Sequence, residues 1–202
     1  MGQTTLYIDE MKKGNYKAFL EHVLNQIPTP LRCGQIDQET LKQYHQVLLE
    51  IADDLTDVYC TVMSNTDAEF FKSQECTEFI KNWWINYIQG PTNDTYWVKL
   101  MILALKLFNK NVGMAALATL PTHLTAMALS IITKTHQQSE DYRKLTTTLD
   151  KLAALTTAFY SELLIHMIVE ETGAPISAFM NLAGYAAERM LTTYGKVRPT
   201  SQ

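Results

Sequence analysis

The stretch Trp83–Met114, WWINYIQGPTNDTYWVKLMILALKLFNKNVGM, decides the fold. It reads as a buried helix, a tight turn at Gly90-Pro91, and a second helix that is apolar almost all round. Within that second helix the charges are Lys99, Lys106 and Lys110, seven and four residues apart. They make one thin wet stripe, while Tyr96, Leu100, Leu103 and Leu107, with Met101, Ala104 and Phe108, face protein. A helix apolar over most of its circumference must be enclosed by neighbours, so this element is expected at the middle of the fold.

Working outward, the upstream chain is helical in period. Asn15 to Ile27 places Phe19, Val23, Leu24 and Ile27 on one face, and Pro28-Thr29-Pro30 ends that helix. Asp37 is placed to cap the next. From there Leu41, Tyr44, Leu48, Ile51, Leu55, Val58 and Val62 repeat at threes and fours, which predicts one long amphipathic helix. Its other face carries Glu50, Asp53, Asp54 and Asp57, a solvated run. Ser73 is read as the cap of the helix that buries Cys76, Phe79, Ile80, Trp83, Trp84 and Tyr87, with Gly90 closing it.

Downstream, residues 113–135 are again helical in period, with a kink expected at Pro121. A long helix follows from about 139 to 171. Leu145, Leu149, Leu152, Thr156, Phe159, Leu163 and Met167 form its stripe. Glu162, His166 and Glu170 fall four apart on one line, which reads as an exposed polar ladder. Metal sites in bundles need ligands from a facing helix, and none is evident; no metal is expected. A last helix is expected over 175–194. No strand-like alternation, repeat or low-complexity segment interrupts this pattern, so the fold class is all-α, seven or eight helices in one domain over 1–202.

Composition narrows the function. With 17 basic and 21 acidic side chains and no basic cluster, nucleic acid is not an expected partner, because phosphate binding needs a concentrated cationic footprint. Cys33, Cys60 and Cys76 are odd in number and widely spaced, which reads as reduced thiols in a cytoplasmic protein. The longest apolar run, Leu100 to Leu105, falls far short of the ~20 residues of a membrane span, so no membrane is expected. No phosphate loop, dinucleotide fingerprint, HExxH, CxxC pair or nucleophile elbow is present. No catalytic residues are assigned, and an enzyme is not expected.

Two stretches carry a family resemblance. One is Trp84-Ile85-Asn86-Tyr87-Ile88-Gln89-Gly90, then Asn93, Asp94 and Tyr96, then an apolar helix ending in Asn111-Val112. The other is Val58-Tyr59-Cys60-Thr61-Val62-Met63-Ser64-Asn65-Thr66-Asp67-Ala68-Glu69-Phe70-Phe71. Together they resemble the globin-coupled sensor domains, over roughly residues 15–171, with helix 175–194 lying beyond the globin core. The resemblance implies a globin-like fold and places Tyr59 where the family's tyrosine contacts bound oxygen. It puts the iron-ligating histidine eleven residues after Tyr96, which here is Leu107. No histidine occurs between His45 and His123. The resemblance therefore implies a sensor globin without its iron ligand, with no cofactor.

The expected function is a heme-free sensor or regulatory module, acting in signal transduction through dimerisation and an unidentified protein partner, with an apolar small-molecule ligand as an option. Tyr59, Trp84, Leu103, Leu107 and Phe108 are the candidate pocket, expected to be filled by bulk or by such a ligand. Two alternatives stay open: a heme-based oxygen sensor using a non-standard ligand such as His123, and a structural helical adaptor. The family packs the equivalents of helices 113–135 and 139–171 as a four-helix bundle about a two-fold axis. Independently, a helix of about 33 residues spans roughly 50 Å, more than one small subunit needs. Leu149, Leu152, Thr156, Phe159 and Leu163 are therefore expected to form a homodimer face.

Overall fold

The computed structural model describes residues 13, 15–66, 68–135 and 140–173, with backbone only at 134, 135, 140 and 170. Seven α-helices lie among them: α1 (Tyr16–Gln26), α2 (Gln35–Glu50), α3 (Ala52–Met63), α4 (Glu75–Tyr87), α5 (Asp94–Asn109), α6 (Met114–Thr135) and α7 (Glu140–Thr172). Short 3-10 turns at Thr29–Leu31 and Glu69–Lys72 join them, and no strand occurs among the described residues. The fold class is all-α. The expected helix at 175–194 lies outside the described residues.

The turn between α4 and α5 is built as its sequence suggests. Gly90 adopts a left-handed φ of 73°, which a side chain disfavours. It is also buried, and a Cβ there would come within 2.6 Å of Leu41 Cδ1 on α2. Asn93 then starts α5, its side chain accepting the Tyr96 N–H at 3.2 Å, which satisfies one orphan donor of the helix start. On α5 the lysines at 99 and 106 are exposed, as are Ile102 and, just past the helix end, Lys110, while most of the remaining helix body is enclosed. It meets α1, α4, α6 and α7, the central placement its composition requires.

The helix expected from Asp37 to Val62 is two. At Ile51 the chain takes φ −82° and ψ −4°, and the buried line shifts. Before it, Leu41 and Leu48 face inward; after it, Ala52, Leu55, Thr56, Tyr59, Cys60 and Met63 do. Val58 and Val62, assigned to the buried stripe from periodicity, are about half exposed, at 49% and 50%. A small turn of the helix about its axis is enough, since adjacent residues differ by about 100° around it. Glu50, Asp53, Asp54 and Asp57 are exposed, as a solvated face should be.

Asp37 does more than cap. It is the third residue of α2, and Gly34 holds the cap position, donating its N–H to Asp37 Oδ2 at 2.8 Å. The carboxylate is buried and also takes the Thr148 hydroxyl at 3.0 Å and Lys151 Nζ at 3.2 Å, both from α7. Ser73 does not cap α4 either: Gln74 occupies that position, and the Ser73 hydroxyl donates back to the Phe70 carbonyl at 2.6 Å.

The core is rich in aromatics whose polar tips are bonded across helices. Trp84 Nε1 donates to the Leu48 carbonyl of α2 at 2.9 Å. Tyr96 donates to the Tyr87 carbonyl at 3.1 Å, and the Tyr87 and Thr125 hydroxyls lie 3.0 Å apart, linking α4 to α6. Burial without such partners would cost several kcal/mol per group, so these bonds fix register as well as packing.

α6 runs unbroken through Pro121 and packs along α7, which also meets α1, α2 and α5. Both helices contain stretches, Met114–Thr133 and Asp141–Val169, long and apolar enough to cross a membrane by length and composition alone. Reading only the longest uninterrupted apolar run overlooked them. In the structure they pack against each other and against other helices, though more than half of the α6 stretch stays uncovered.

The dimer face expected on α7 is corrected by its burial. Leu149, Leu152 and Thr156 are fully buried within the chain, and Phe159 and Leu163 nearly so. The long helix is covered by α1, α2, α5 and α6 instead of projecting.

Candidate functional site

Four of the five candidate pocket residues are buried in one continuous apolar cluster: Tyr59, Trp84, Leu103 and Leu107. Phe108 is partly buried and packs against that cluster. α3 supplies Tyr59, α4 supplies Trp84, and α5 supplies the other three. Tyr59 meets the ring of Phe71 edge-on at 6.0 Å between centroids. A small cavity lies elsewhere, between α1, α5 and Phe159 of α7; at about 10 Å³ it is lined by Tyr16, Phe19, Leu20, Trp97 and Met101, among others. That volume is about one water probe, far below a porphyrin.

Tyr59 stands out chemically. Its side chain is 1% exposed, and its hydroxyl has no hydrogen-bond partner among the described residues. Burial pushes the phenol well above its ordinary range, so it remains a neutral donor. An unsatisfied buried hydroxyl costs about 1–3 kcal/mol, and such groups call for an explanation in water or ligand. Its neighbours in sequence are tied down: Cys60 is bonded to Cys76, joining α3 to the first turn of α4. This overturns the reading of all three cysteines as reduced thiols and withdraws the support they gave to a cytoplasmic location. The residue types alone carry no pairing signal; only the antiparallel approach of α3 and α4 brings the two together.

Cys33 remains free. Burial first, then the Asp37 carboxylate, push its thiol up to about 12, which leaves it a weak nucleophile.

His123 is exposed on α6, whose inward line runs through Leu117, Leu120, Leu124 and Ala128. Its side chain faces solvent, so it is not placed to ligate an iron held among Tyr59, Trp84 and Leu107. The polar ladder expected on α7 is also not exposed. His166 is buried, with its ring set edge-on to Phe19 of α1 at 5.6 Å, and Glu162 is half-buried. The side chain of Glu170 lies outside the described residues. Sequence reasoning missed His22 on α1, which faces this pair.

The chain matches no protein-family model, no curated protein and no solved structure. What the fold itself defines is an all-α protein with an aromatic core closed by cross-helix hydrogen bonds.

Proposed function

We propose that the chain is a heme-free regulatory module of the sensor-globin type, with no chemistry of its own, that signals through contacts with protein. Leu107 carries this reading. It sits eleven residues after Tyr96, where the resemblance requires an imidazole, and it is 1% exposed in packed core. Its side chain has no donor atom for a metal. The compact cluster around it supports a heme position closed by side chains. The buried Tyr59 hydroxyl supports a small ligand, mainly apolar, with one acceptor atom for that phenol to bond.

Homodimerisation remains part of the proposal, now through the 113–135 helix of the expected pair and without the buried α7 face. From Met114 to Thr133 α6 carries no Asp, Glu, Lys or Arg. It exposes Met114, Thr122, His123, Ala126, Ser130 and Thr133. A face without acidic, lysine or arginine side chains, in which threonine, alanine and serine accompany Met114 and His123, suits two-fold packing of α6 against its copy.

Native mass spectrometry of the purified protein tests the reading. The expected result is a species of two 23.0 kDa chains without bound heme. A monomer carrying one heme would overturn it.

A further inference from the structure

His22 on α1 and Glu162 and His166 on α7 bring one ligand atom each to within 4.8 Å of one another. Glu162 Oε2 lies 3.7 Å from His22 Nε2 and 3.9 Å from His166 Nε2. Both separations are too long for hydrogen bonds, so the carboxylate faces two imidazoles without bonding directly to either. They exceed by a few tenths of an ångström the ~3.3 Å between two ligands on a tetrahedral ion with bonds of about 2.0–2.1 Å. The two imidazole ligand atoms lie within 4.8 Å of each other, so an ion would draw all three side chains inward. The two rings are nearly perpendicular, at 84°, with centroids 6.1 Å apart, as two histidines aimed at a common point can be.

We propose that these three residues form a binding site for a divalent transition-metal ion of the zinc class, clipping α1 to α7. The proposal is independent of the sensor reading. Two imidazole nitrogens and one carboxylate oxygen suit zinc or its neighbours, whereas magnesium and calcium take oxygen-rich sets. His166 is 1% exposed, while the side chains of His22 and Glu162 are 31% and 24% exposed. The site thus has an apolar floor, formed by His166 against Phe19, and a wet mouth through which an ion can enter.

Gln26, one turn along α1 from His22, has its amide nitrogen 2.8 Å from His22 Nε2. It competes with an ion for that lone pair. Turned over, its amide oxygen becomes a fourth ligand; displaced, it leaves that position to water. Three protein ligands with an open fourth position is the arrangement of zinc sites that exchange an exogenous ligand.

The test uses untagged, chelator-stripped full-length protein titrated with zinc chloride, with cobalt chloride as the spectroscopic probe. One zinc per chain is expected, together with visible cobalt bands and a raised thermal unfolding midpoint. His22→Ala and Glu162→Gln, both at half-exposed positions and checked for helicity by circular dichroism, should each weaken zinc binding at least tenfold and abolish the midpoint shift. Absence of saturable zinc binding by the wild-type chain would overturn the proposal. So would binding unchanged in both variants, which would put the ion elsewhere.

Discussion

The indole N–H of Trp83 on α4 donates to the hydroxyl of Tyr160 on α7 at 2.6 Å, deep in the core. That hydroxyl in turn donates to the Leu100 carbonyl of α5 at 3.1 Å, so one phenol fastens three helices. Tyr160→Phe leaves the buried indole N–H unsatisfied and removes the extra bond to the Leu100 carbonyl, at a cost of about 1–3 kcal/mol. The expected outcome is a thermal midpoint lowered by roughly 2–4 °C per kcal/mol, with helicity unchanged. An unshifted midpoint would mean that the Trp83 indole is satisfied some other way.

The Cys60–Cys76 bond closes a loop of 16 residues, and loops of that size are worth about 3 kcal/mol by restriction of the unfolded chain. Reductant, or Cys76→Ala, should lower the unfolding midpoint. Thiol titration of the denatured, unreduced protein should find one free thiol per chain, and in the native state Cys33 should react slowly. Three fast thiols would contradict the pairing.

Leu152 and Phe159 were read from the sequence as an interface, and the structure places them inside the subunit. Leu152→Asp or Phe159→Glu should therefore unfold the chain, since an unpaired buried charge is not tolerated. Circular dichroism distinguishes the cases. Retained helicity with loss of a dimer would restore the interface reading.

How legible the chain was depended on the range of each signal. The α4–turn–α5 unit could be read because Gly90, Asn93 and the spaced lysines act locally. The break at Ile51 could not, because no Gly or Pro marks it and the apolar repeat continues past it. The burial of α7 was misjudged because a stripe of leucines reports that a face is covered, not whether its own chain or another covers it. Leu107 and Tyr59 lie in the core, as apolar positions on helix faces tend to, which says nothing by itself of a pocket. His22 was missed for a related reason. The pairs His22/Gln26 and Glu162/His166 each have helical spacing, but only the packing of α1 on α7 unites them across some 140 residues.

Burial lowers the His166 pKa below its ordinary 6.5, with a stated sign for stability. Above about 6.5 the imidazole is neutral in both folded and unfolded chains, and it contributes no pH dependence. As pH falls below that value the unfolded chain takes up the proton first, so stability declines until the folded-state pKa is passed. Metal-free wild-type protein should lose more midpoint than His166→Gln between pH ~8 and ~5. Parallel pH curves would show that His166 is not the group responsible.

The central claim, a sensor-type core with leucine where an iron ligand belongs, is tested most directly by titrating hemin into the purified protein and following the Soret band. The account predicts only weak, non-saturating spectral change, identical in wild type and His123→Ala. A sharp one-to-one Soret transition, with the spectrum of a coordinated iron, would contradict it.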